Sequence, residues 1–129
     1  MAEIQKLAQV LARIMDFKNE NKYDKAEDLI KKTLTEDFEF GFDDLSVASV
    51  TDFEALLKNK NFPSEKLDLL GQFLFESVYP FEDTPETDIM LHKVLLIFRL
   101  LEEEHHIQSF DNLSKREMID KFLNNRQYE

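Results

Sequence analysis

Cysteine is absent from the 129-residue chain, which removes thiol catalysis, thiolate metal sites and any disulfide framework, and fits a reducing compartment. Two glycines and three prolines supply too few turns for a β-sandwich or barrel, so the composition predicts an all-α fold. Basic residues are scarce: 16 Lys and Arg stand against 27 Asp and Glu, a net charge of -11 and a pI near 4.7. A field of that sign repels phosphate backbones and anionic membranes, so neither nucleic acid nor a membrane is expected as a partner. Long apolar runs are missing too. Met1 to Lys18 is interrupted by Glu3, Lys6, Gln9 and Arg13 and does not read as a signal peptide. The most apolar stretch, Ile89 to Leu101, carries His92, Lys93 and Arg99 and is too short to span a bilayer. The expected location is cytoplasmic.

What is present is helical patterning. The length and a 43% hydrophobic content suit one domain over residues 1–129. Ile4, Leu7, Leu11, Ile14 and Met15 recur at helical spacing and predict a helix from about Ala2 to Phe17. A polar turn follows, and Tyr23, Ala26, Leu29, Ile30, Thr33 and Leu34 predict a second helix to about Thr35, antiparallel to the first. Between Thr35 and Val50 the period fails, and Phe38, Phe40 and Phe42 predict an extended crossing loop that lays three rings on the core. A third helix is expected from Thr51, whose spacing to Glu54 is that of a capping box, to Asn59. The fourth opens at Pro63 and runs to Tyr79 before Pro80, with Gly71 expected to admit a close neighbouring helix. The fifth is expected to open with Thr84 as its N-cap and Pro85 in its first turn, and to continue to about His106. Ten of its thirteen residues from Ile89 to Leu101 are apolar, so it must be central or face a second chain. Leu96 and Ile97, off its main apolar face, are the candidate residues of a homodimer interface, with burial in a central helix as the alternative. A sixth helix is expected from Ser114 to Asn124.

Chemistry-bearing motifs are few. Glu102, Glu103, His105 and His106 contain two Glu to His pairs at the i, i+3 spacing used by carboxylate-bridged di-iron bundles. Such a site needs a second pair from another helix, and His92, the remaining histidine, has no glutamate three residues before it. The preferred reading is imidazoles at a helix C-terminus, where the macrodipole favours them. The acidic loop Asp37, Glu39, Gly41, Asp43 and Asp44 lacks the ligand order of an EF-hand. No nucleophile elbow or phosphate-binding glycine loop occurs, and no catalytic residue, cofactor or metal is assigned.

Leu11-Ala12 and Met15, then Tyr23-Asp24-Lys25-Ala26 and Lys32-Thr33-Leu34, resemble one tetratricopeptide (TPR) hairpin, in which small residues let two helices interlock. Leu70-Gly71 and Leu74, then Lys93-Val94-Leu95, resemble a second, more divergent copy. The order of parts is similar to that of a family of short bacterial TPR-related proteins of unknown function. The resemblance implies an all-α fold of TPR-like antiparallel hairpins, about six helices in one right-handed bundle. That family brings no known activity, and the leading expectation, by analogy with the concave groove of TPR-like folds, is a non-enzymatic adaptor that binds a protein or peptide on the surface presented by the first, second and fourth predicted helices. The acidic balance favours a basic or amphipathic partner. Two other readings stand beside it: a helical metal-dependent enzyme built on Glu102 to His106, and an acidic inhibitor or immunity-type protein.

Overall fold

The structure is a computed structural model that describes residues 2–127. It is all-helical, with no strand among the described residues, and its order is α1 (Ala2–Asn19), α2 (Tyr23–Glu36), α3 (Phe42–Val47), α4 (Val50–Lys60), α5 (Ser64–Val78), α6 (Pro85–Glu103) and α7 (Phe110–Gln127). No helix among them is long and apolar enough to cross a membrane.

Local chemistry sets most of these boundaries. The Ser49 hydroxyl accepts from Asp52 N at 3.0 Å and starts α4 two residues before the capping pair expected at Thr51. Asn61, at a φ of 52°, ends α4 in the left-handed conformation that asparagine tolerates. The Thr84 hydroxyl accepts from Thr87 N at 3.1 Å, and Pro85 occupies the first turn of α6, as its spacing predicts.

α5 and α6 form the central antiparallel pair, and α5 also packs against both α1 and α2. Gly71 sits where α5 meets α6: a Cβ there would lie 3.1 Å from Ile97 Cγ2 and 3.4 Å from Phe98 Cε1. On its other sides α6 is covered by α3, α4 and α7. That enclosure explains why the helix is apolar almost all round, since each of four neighbours removes a different stripe from water. Leu96 and Ile97, the residues considered for a dimer face, are 4% and 0% exposed within the single chain. They belong to its own core.

Three expectations need correction. The segment after Thr35 is not wholly extended, because Phe42–Val47 forms the short helix α3, giving seven helices among the described residues. Phe38 and Phe40 do lay their rings on the core, Phe38 against Phe73 and Phe62 at 5.6 and 6.0 Å and Phe40 against Phe53 at 6.0 Å. The side chain of Phe42 lies outside the described set. The last helix starts at Phe110 instead of Ser114, because the Ser109 hydroxyl accepts from Asn112 N at 3.1 Å and caps it earlier. Finally, α6 stops at Glu103, before the two histidines.

Candidate binding groove

Where the α1–α2 turn faces the α5–α6 connection, the chain leaves a groove of about 620 Å³. Lys18 contributes from the end of α1, and Tyr23, Ala26, Glu27 and Ile30 from the first turns of α2. The opposite wall is the end of α5 and the loop after it, from Glu76 to Glu82, with Thr87 of α6.

Lys18 organises that wall. Its ammonium donates to the backbone carbonyls of Glu76 at 2.6 Å and Tyr79 at 2.7 Å, and to Glu76 Oε1 at 2.9 Å. Three donors thus meet three acceptors, two of them carbonyls at the C-terminal end of α5, where the helix leaves its carbonyls unsatisfied and its dipole favours a cation. The ion pair is shielded, with side chains 14% and 11% exposed, so it holds the loop more firmly than a surface pair would.

The loop is also packed from within. The Tyr79 ring stacks on Phe75 at 5.4 Å with an interplanar angle of 17°, and meets the edge of Phe81 at 5.4 Å. Phe81 in turn touches Phe122 of α7 at 5.1 Å. This ladder fixes the ring of Tyr79 while leaving the residue 41% exposed; Tyr23, on the α2 side, is 49% exposed. A half-exposed tyrosine provides apolar area and a polar tip, and the stacked ring of Tyr79 has few rotors left to freeze.

The charge not consumed internally is negative. Lys18 is matched by Glu76. Glu82 has no cation at ion-pair distance among the described residues, whereas Glu27, with a side chain 60% exposed, pairs with Lys31 at 3.0 Å. That hydrogen bond and the Glu27 charge raise the Lys31 pKa above its ordinary value.

The residues singled out for metal chemistry are dispersed. Glu102 accepts from Arg116 Nη1 at 3.0 Å and from Gln108 Nε2 at 3.1 Å. Glu103 lies 3.9 Å from Arg99. Because α6 has already ended, His105 and His106 leave the helical register that would have set each beside a glutamate. His105 lines a cleft of about 120 Å³ with Leu57, Leu67 and Leu100, while His106 is exposed at a φ of 57°. Among the described residues no three His, Asp or Glu side chains converge as a metal site would require.

The groove rests on pairings that no local pattern encodes, since Lys18 and Tyr79 are 61 residues apart. Tyr23 belongs to the period that predicts the second helix and to the hairpin resemblance, and neither pattern marks it as a groove residue. Comparison of the chain with protein-family models, with curated proteins and with solved structures returned no match.

Proposed function

We propose that this chain is a non-enzymatic protein-interaction domain of the cytoplasm that takes a basic or amphipathic segment of a partner into the groove between α2 and the α5–α6 connection. The observation that carries this reading is the pair of half-exposed tyrosines, Tyr23 and Tyr79, in one groove where Glu82 is a carboxylate without an ion-pair partner among the described residues. Aromatic anchors inside a rim of one sign are the usual means of binding a peptide of the other sign. The layering of α1–α2 and α5–α6, with α5 packed on both members of the first pair, supports a TPR-like arrangement of two hairpins. Zero cysteine supports the cytoplasm.

The test is an NMR titration of the labelled protein with a designed amphipathic peptide of Lys and Leu, roughly 18 residues and five helical turns long. Shifts confined to Tyr23, Tyr79 and their neighbours, and at least about tenfold weaker binding by Tyr79→Ala, are expected. Shifts scattered over the acidic surface, or an affinity unchanged in Tyr79→Ala, would overturn the assignment of the groove.

A further inference from the structure

The cations of this acidic chain are mostly spent on its own carboxylates: Lys6, Lys18, Lys22, Lys31, Lys58, Lys60, Lys66, Lys115, Arg99 and Arg116 all have ion-pair partners. Among the described residues, Arg13, Lys25, Lys32, Lys93 and Lys121 do not, and Lys93 is buried in the core. Three of the other four surround a single depression of about 510 Å³ on the outside of the α1–α2 hairpin. Its floor is Val10, Phe17 and Leu29, each half-buried, and its lining comes from α1 and α2 alone. Arg13 lies over the Phe17 ring at 5.3 Å. Asp28 is the one carboxylate at the edge.

We propose that this face docks an acidic amphipathic helix from a partner protein, at a site separate from the tyrosine groove and opposite to it in charge. A groove between two antiparallel helices runs along their axes, so a third helix fits it ridge into groove, with apolar side chains at i, i+3 and i+7 reaching Val10, Phe17 and Leu29. Glu or Asp flanking those anchors would meet Arg13, Lys25 and Lys32. The net charge of -11 does not forbid this, because at physiological salt a field is screened beyond about 8 Å and a narrow helix feels chiefly the nearby cations. A broad anionic membrane would also face the rest of the acidic surface. A second copy docking face to face would bring Arg13, Lys25 and Lys32 against themselves.

The experiment uses the full chain, a designed Glu/Leu amphipathic peptide of roughly 18 residues, and a scrambled peptide of the same composition. NMR shifts at Val10, Arg13, Phe17 and Leu29, at least about tenfold tighter binding than the scrambled peptide, and a loss of about tenfold in Lys25→Glu/Lys32→Glu are expected. Both substitutions are on exposed helix positions, and unchanged circular dichroism would show that the fold survives them. Equal binding of both peptides, or an unaffected double variant, overturns the proposal. So does association with anionic vesicles that the double variant abolishes, or a dimer in light scattering that it dissociates. Shifts at Tyr23 and Tyr79 with the Lys/Leu peptide test the groove separately, so either site can fail alone.

Discussion

The ammonium of Lys93, on α6, donates a hydrogen bond to the backbone carbonyl of Leu45, on α3, inside the core. The carbonyl belongs to the last turn of a six-residue helix, where no intrahelical donor remains for it. The Phe53 ring, 5.8 Å away, gives the cation a second favourable contact, and no carboxylate pairs with it among the described residues. Burial therefore lowers the Lys93 pKa below 10.5. In the unfolded chain the group binds its proton up to its ordinary value, whereas in the folded chain it releases it earlier. Between the depressed folded value and 10.5 the unfolded state holds more protons, so this group adds stability as pH rises through that window. Urea unfolding from about pH 8 upward should show a more positive slope of stability against pH for the native sequence than for Lys93→Met. Equal slopes would mean that the ammonium is not desolvated.

Truncation at the same position has a different outcome. Lys93→Ala removes the donor and leaves the Leu45 carbonyl buried without one, and we expect a loss of about 1–3 kcal/mol in chemical denaturation. Loss of amide-exchange protection should be largest in α3, which is too short to persist without its neighbours.

Gly71→Ala sets helix propensity against contact. Alanine gains about 1 kcal/mol within a helix, but its Cβ would lie 3.1 Å from Ile97 Cγ2, on a residue that is 0% exposed. Overpacking at such a contact costs about 1–3 kcal/mol, so the net expectation is a modest destabilisation. Gly71→Val should be several-fold worse. A stabilised Gly71→Ala in urea titrations would show that α5 and α6 can separate at little cost.

Lys18→Met should lower stability by about 1–3 kcal/mol, because Glu76 and two carbonyls at the end of α5 lose one shared donor. Heteronuclear relaxation of residues 79–84 should report a loosened loop. An unchanged loop would mean that the aromatic stack of Phe75, Tyr79 and Phe81 suffices to hold it.

α7 is tied to α5 by a polar junction. Gln72 Nε2 donates to Asn112 Oδ1 at 2.8 Å, and Asn112 Nδ2 donates to Asp68 Oδ1 at 3.0 Å. Asn112→Ala removes a shared partner from the buried Gln72 and the half-buried Asp68, and a cost of about 1–2 kcal/mol with selective loss of exchange protection in α7 is expected. Uniform loss across all helices would show that α7 opens only with the whole chain.

How far the sequence announced this structure depends on the residue. The apolar period found the long helices, and Thr84 with Pro85 marked the start of α6 because capping chemistry is local. α3 escaped because six residues give less than two turns of period, and the alternating phenylalanines before it resemble extended chain. The end of α6 was overrun because no glycine or proline marks it; His106 adopts the left-handed conformation instead. Leu96 and Ile97 admitted two readings, since a helix enclosed by four neighbours and a helix half-covered by a second copy carry the same pattern. The groove was out of reach for a different reason: its walls come from opposite ends of an antiparallel layer, and its cation and carbonyls are far apart along the chain.

The two groove tyrosines have a practical use. The chain contains no tryptophan and three tyrosines, so its near-ultraviolet emission is tyrosine emission, and Tyr23 and Tyr79 supply two of its three sources. The native protein thus contains its own optical reporter at the site, with no attached dye.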